Sequence, residues 1–212
     1  MTLWQSTDVS QYLLYLISIL TSKNMEEYRK TVELYAARHE NYLFHNKGNE
    51  HALIIFENIF RNAKRKIRIV ANNLCNKEVV DREEYIKPLI AFLDKGGVLH
   101  ILLKNIPEKD NEELKSTTSL FRALYNHEAY ANNRVIIKSA DGRCFHDKSR
   151  NEIHFCTADG LMYRLENNIN ERKAICNFGD EEKTVELDSL FDRAFDSIVN
   201  TVSLADFFGK EA

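Results

Sequence analysis

The chain has 212 residues, of which 44% are hydrophobic, enough to bury one substantial core or one core plus a helical extension. Charged residues make up 29% with a formal net charge of −3, so there is no global basic signature, and nucleic-acid contact has to come from a local patch. Two prolines and seven glycines exclude a long disordered linker, and four irregularly spaced cysteines read as thiols of a reducing compartment rather than a disulfide framework.

The N-terminus shows no basic stretch or small-residue cleavage site, so no secretory signal is expected. The apolar run from Tyr12 to Leu20 falls well short of the roughly twenty residues of a membrane span. A cytoplasmic protein is expected. Asp8 caps a helix expected over Ser10 to Ser22 that is apolar on nearly every face, as in a helix buried against its own domain or a partner. Asn24 caps a second helix, Met25 to about Leu43, with Met25, Tyr28, Val32, Tyr35 and His39 as its inward stripe. His39 and His45 read as ordinary surface or boundary histidines. Residues 1–47 form the expected helical extension, for dimerisation or partner docking, and residues 48–212 the main domain.

A loop at Lys47-Gly48-Asn49 leads into a helix from Glu50 to about Ala63 with Leu53, Ile54, Phe56, Ile59 and Phe60 inward. Arg61, Lys64, Arg65, Lys66 and Arg68 are the densest basic cluster in the chain. It reads either as a solvated helix end or as a contact for an anionic ligand or nucleic acid. Ile67 to Ala71 is a strand, Arg82 to Lys95 a helix that Pro88 starts or kinks, and Val98 to Leu103 a second strand after Gly96-Gly97. Strand, helix and strand in this order imply a right-handed βαβ unit, whose ligands sit beyond the carboxyl ends of the strands, near Asn72, Asn73, Lys104 and Asn105. A loop through Pro107, a helix from Leu114 to about Ala129, a strand from Arg134 to Ser139 and a closing helix from Glu181 to about Val202 complete the regular elements.

The stretch from Asp141 to Phe178 holds three of the four cysteines, two histidines and an Asp159-Gly160 turn. In Cys144-Phe145-His146 and His154-Phe155-Cys156, paired residues two apart share a face of a strand. A hairpin folding about Ser149 to Asn151 would set His146 opposite His154 and Cys144 opposite Cys156, a possible tetrahedral zinc set, although the spacing matches no common zinc pattern. Tyr163, Arg164 and Glu166 alternate along a strand. Arg164 is either half of a surface pair with Glu166 or a phosphate contact.

The order of elements, with His146-x-Lys148, the Asp159-Gly160 turn and the closing helix, resembles the phospholipase D superfamily. The segments Ala158 to Glu166 and Lys173 to Phe178 are similar to noncatalytic domains of that kind. The resemblance covers roughly Glu50 to Val202. It implies a mixed β-sheet flanked by helices, an α/β fold. Its enzymes carry His-x-Lys-x4-Asp followed by Gly-Ser, the histidine attacking phosphorus and the lysine holding the phosphate. Here Ile153 stands where the Asp belongs after His146 and Lys148. In a second register starting at His154, Cys156 and Leu161 stand in the Lys and Asp positions. Asp147 and Asp159 are the stand-ins for the missing acid.

These features imply a noncatalytic binding module, with no cofactor expected. It would self-associate or dock a protein through its N-terminal helices, touch nucleic acid through the basic cluster and Arg164, and act as an accessory of a prokaryotic nucleic-acid-processing or defence system. One alternative is a homodimeric, metal-independent nuclease or phosphodiesterase using His146 and Lys148 of each chain with Asp159. Another is a purely structural scaffold.

Overall fold

The computed structural model describes residues 23–106, 118–147, 149–169 and 171–208. The helix expected over Ser10 to Ser22, and Lys148, lie outside these. Helix α1 covers 23–38, followed by β1 (Phe44–Lys47), α2 (Asn49–Asn62), β2 (Lys66–Ala71), α3 (Glu83–Asp94) and β3 (Val98–Leu103). Then come α4 (Thr118–Tyr125), α5 (Glu128–Ala131), β4 (Val135–Ser139), β5 (Phe145–His146), β6 (Glu152–Ala158), β7 (Met162–Asn168) and β8 (Lys173–Asn177). The described chain closes with α6 (Glu181–Ser197) and α7 (Ala205–Phe208).

The strands make one mixed sheet in the order β1-β8-β7-β6-β2-β3-β4, with β5 paired to β6 beside this path. Strands β2, β3 and β4 run parallel, whereas β6 lies antiparallel to β2 and starts the meander β6-β7-β8-β1. Helices cover both faces of the parallel strands. On one face α2 and α3 set Leu53, Ile59, Leu89 and Phe92 against Ile67, Ile69, Leu99 and Ile101. On the other, α6 brings Leu187, Phe191 and Phe195 onto Val70, Leu102, Phe155, Tyr163 and Leu165, and it also meets Lys66, Arg68, His100 and Lys138 of the same strands. At the α3–β3 junction a Cβ on Gly97 would lie 2.3 Å from the Phe92 ring, so only glycine lets that ring lie under the turn.

Three expected helix bounds need correction. Helix α1 ends at 38, because His39 turns into the left-handed region at φ 51°, and 44–47 become edge strand β1 on β8. Residues 23–47 also share the main core: Val32 and Ala36 are fully buried in it, and Phe44 meets Phe178 edge-on at 6.0 Å. The helix expected from Leu114 to Ala129 is broken where His127 Nδ1 accepts the Ala129 N–H and caps α5. The closing helix stops at Ser197, and 200–202 turn back along β4, with Ser139 N–H donating to Asn200 and Val202 N–H to Ile137. No helix among the described residues is long and apolar enough to cross a membrane.

Candidate functional site: a polar cleft at the carboxyl ends of the parallel strands

Asn72 and Asn73 follow β2, and Lys104 and Asn105 follow β3, at the carboxyl ends where ligands of such sheets are expected. The Asn105 amide donates to Asn72 Oδ1 at 2.7 Å, and Lys104 Nζ reaches both Glu152 oxygens at 2.9 and 3.0 Å. From Glu152 a line of charged groups crosses the sheet. Glu152 and His154 are two apart on β6 and so share a face, and the register sets His154 opposite Glu166 of β7. His154 Nε2 lies 3.5 Å from Glu152 and Nδ1 3.6 Å from Glu166, while Arg164 Nη2 lies 3.4 Å from Glu166. Arg164 is 5% exposed and its guanidinium covers the Phe56 ring at 5.0 Å.

Along the line the carboxylates of Glu152 and Glu166 lie between Lys104, His154 and Arg164. Hydrogen bonding to Glu152, then to the Cys144 thiol, holds Lys104 above the usual lysine range. Burial pushes Glu152 and Glu166 up. Hydrogen bonds from Lys104 and the Cys144 thiol, with the nearby Lys104 and His154, together outweigh this at Glu152, and His154 with Arg164 outweighs it at Glu166, leaving both carboxyls below their ordinary range. Such a network can orient a bound polar group. Its acids are already committed to cations and poorly placed to serve as general bases.

The hairpin register differs from the expected one. Phe145 pairs with Ile153 and His146 with Glu152, so His146 does not face His154 and Cys144 does not face Cys156. The two-residue shift follows from a tighter turn over 147–151, in which Asp147 accepts N–H groups of Ser149 and Asn151. Those hydrogen bonds, led by the one from Asn151, hold Asp147 below its usual range. Cys156 lies in the core beneath α2 and α3, with burial pushing its thiol up, and among the described residues no cluster could hold a metal ion. The zinc set of Cys144, His146, His154 and Cys156 is therefore not assembled. His146 itself is exposed.

Asp159 sits at the other end of β6, about 20 Å along the strand from Glu152 and its partner His146. Its carboxylate accepts the backbone N–H groups of Lys64, Arg65 and Lys66 at 2.6, 2.9 and 2.9 Å, so it anchors the start of β2 and does not assist His146. Most of the basic cluster is paired internally. Arg61 pairs with Glu57, Lys66 with Asp192, and Arg68 with Asp188 and Asp192. The Arg65 guanidinium donates to Asp159 O, yet Arg65 and Lys64 are exposed. Arg164 faces the interior rather than solvent.

Sequence reasoning singled out Asn72, Lys104 and Arg164 but not Glu152, and read Glu166 only as a surface partner. The missed signal is spacing. Counted back from the Asp159-Gly160 turn, Glu152-x-His154-x4-Asp159 reproduces the interval of His-x-Lys-x4-Asp, with Glu in the His position and His in the Lys position.

No protein-family model and no curated protein matches the chain. Among solved structures it is similar to TrmBL2, an archaeal chromatin protein described as showing a novel mode of DNA binding. That match has TM-score 0.51 and 12% identity and covers 92% of this chain and 68% of that one. It is similar to Nuc from Salmonella typhimurium, a phospholipase D family member, at TM-score 0.51 and 11% identity over 77% of this chain and all of that one. It is also similar to NucT from Helicobacter pylori, at TM-score 0.51 and 13% identity over 76% and 98% of the two chains. With its mixed sheet of eight strands flanked by helices, the chain has a phospholipase D-like α/β fold.

Proposed function

We propose that the protein is a noncatalytic phospholipase D-like binding module. The observation that carries this reading is the Lys104–Glu152 pair. Where the motif spacing calls for a histidine nucleophile, the chain has a carboxylate already held by a lysine. A second carboxylate, Glu166, lies within 3.6 Å of His154. Two anions beside a transferring phosphoryl group would oppose the charge that cations normally stabilise there. His146 is too exposed, and too far from Asp159, to replace that machinery.

The binding role rests on other features. The apolar run from Tyr12 to Leu20 is the element for self-association or docking of a protein partner. Nucleic-acid contact narrows to Lys64 and Arg65, exposed and outside the ion pairs that engage Arg61, Lys66 and Arg68, and the likeness to an archaeal chromatin protein supports keeping it. An accessory role in a prokaryotic nucleic-acid-processing or defence system follows by analogy of fold.

The test is phosphodiester hydrolysis on single- and double-stranded DNA, RNA and a bis-nitrophenyl ester, with and without chelator. Wild type would be compared with His146→Ala and His154→Ala. No cleavage by any of the three folded proteins is expected. Chelator-resistant cleavage lost in His146→Ala would instead establish the homodimeric phosphodiesterase.

A further inference from the structure

Beside the cleft, and sharing Asn72, His154, Arg164 and Glu166 with it, lies a cavity of about 160 Å³ between α2, the loop after β2 and strand β7. Most of its wall is apolar, including Ala52, Phe56, Ile69 and Val80. Two polar side chains in that wall are nevertheless buried with unpartnered atoms: the Tyr85 hydroxyl, on a residue 1% exposed, and Arg164 Nε, on a residue 5% exposed. Folded proteins rarely leave buried donors unpaired, and two around one void mark a place where a ligand or ordered water completes the bonding.

The chemistry of the wall selects the ligand. Arg164 Nε can only donate, and Tyr85 can donate, so the partner is an acceptor. The amino end of α2, a helix of 14 residues, also lines the cavity at Gly48 and Asn49 and has no side-chain cap, which favours negative charge. Arg164 and Arg172 are each already matched by a carboxylate, Glu166 and Glu78, and Glu166 also lines the cavity, so a dianion is disfavoured and a monoanion has to be held by the free donors and the helix end. The size is that of a single ring, since a cavity of roughly 150 Å³ accommodates benzene. Phe56 and Tyr85, edge-to-face at 5.1 Å, supply flat apolar walls.

The geometry points to a binding site for a small aromatic monocarboxylate, held by Arg164 and Tyr85 against Phe56. This goes beyond the noncatalytic reading; the cavity shares Asn72, His154, Arg164 and Glu166 with the cleft, and a binding readout keeps its failure distinct from that of the hydrolysis test.

The experiment is titration of the full chain with benzoate, followed by ligand-observed NMR and thermal shift. Benzyl alcohol and inorganic phosphate are the comparison probes. Benzoate is expected to bind and raise the melting temperature, with the alcohol much weaker and phosphate without effect. Tyr85→Phe, which removes one oxygen and keeps the ring, should weaken benzoate roughly 5–10-fold, the worth of one hydrogen bond. Arg164→Met should abolish binding. If Arg164→Met does not fold, Tyr85→Phe decides alone. Absence of benzoate binding at millimolar concentration overturns the proposal. So does equal binding of benzyl alcohol, binding of phosphate in its place, or unchanged affinity in Tyr85→Phe.

Discussion

Arg68 and Asp192, 124 residues apart in the chain, meet in a two-point ion pair, Nε to Oδ1 at 2.9 Å and Nη2 to Oδ2 at 2.8 Å. The remaining amino group of Arg68 reaches Asp188 at 2.9 Å, so one guanidinium ties β2 to two successive turns of α6. Asp188 also accepts the Thr157 hydroxyl, and burial pushes its carboxyl above the ordinary range. The basic cluster thus turns one of its cations into the bolt that holds α6 on the sheet.

Removing that cation strands a buried acid. Arg68→Met keeps most of the aliphatic bulk but leaves Asp188 without its counter-charge. A loss of about 2–4 kcal/mol is expected by urea unfolding. The same substitution should leave nucleic-acid affinity unchanged, whereas Lys64→Ala with Arg65→Ala should lower that affinity and flatten its salt dependence at little cost in stability. Equal stability of Arg68→Met and wild type would show that the clamp does not hold α6.

Asp159 offers a sharper separation of anchoring from catalysis. Three backbone N–H groups converge on its carboxylate while its own backbone sits at φ 59°, a conformation that aspartate and asparagine tolerate better than other non-glycine residues. Asp159→Ala loses the charge-assisted bonds and adds left-handed strain, for an expected cost of about 2–4 kcal/mol. Asp159→Asn keeps the conformation and one acceptor oxygen and should cost about half as much. Hydrogen exchange of the Lys64, Arg65 and Lys66 amides reads the same loss locally. If both variants are as stable as wild type and those amides stay protected, the anchor does not exist.

Periodicity carried most of the fold. The runs around Ile67 and Leu99 and the stripe Leu187, Phe191, Phe195 are local patterns, and burial on the sheet reads them directly. Strand β1 was not legible, because Phe44 to Lys47 is a strand only through its pairing with β8, some 130 residues later. The site was half legible. Asn72 and Lys104 follow from the rule that ligands gather at carboxyl ends of parallel strands, but the Lys104–Glu152 pair depends on a turn width that sets His146 against Glu152 rather than His154. Composition likewise shows Arg68 as one of a run of cations, whereas its partners lie on a helix that only tertiary packing brings near.

Acid should loosen the same α6 face through His100. Its ring stacks on Phe195 at 4.4 Å, and burial, reinforced by Lys66 and Arg68, depresses its pKa from 6.5 to about 4, with Asp192 pulling the other way and Lys138 adding to the shift. The folded state holds a neutral ring that the unfolded chain protonates more readily. Its contribution is therefore complete above about pH 6.5 and is lost as pH falls toward about 4. Allowing for solvent screening at a partly buried ring, the loss is about 2 kcal/mol. Asp188, whose raised pKa favours the folded state in acid, works against this trend, so the comparison has to be with a variant. His100→Phe retains the stack and should flatten the fall in urea midpoint between about pH 6.5 and about pH 4.5. Parallel pH profiles for the two proteins would rule out His100 as the source.

The place of residues 23–47 in the core can be tested at a single glycine. A Cβ on Gly179 would lie 2.1 Å from the His39 carbonyl oxygen and 2.8 Å from Asn41 N, both backbone atoms that cannot rotate away. Here the segment leaving α1 crosses the chain between β8 and α6, and Asn177 donates to the Asn41 side chain at 2.8 Å. Gly179→Ala must push the two backbones apart, at an expected cost of about 3 kcal/mol or more. Because this contact lies in the chain between Ala36 of α1 and Phe44 of β1, both core residues, the damage should fall on α1 and β1 first. Limited proteolysis should cut the variant within 39–43 while β2, β3 and α6 stay protected in hydrogen exchange. Cleavage at the same rate in wild type and variant would mean that 23–47 is held independently of Gly179.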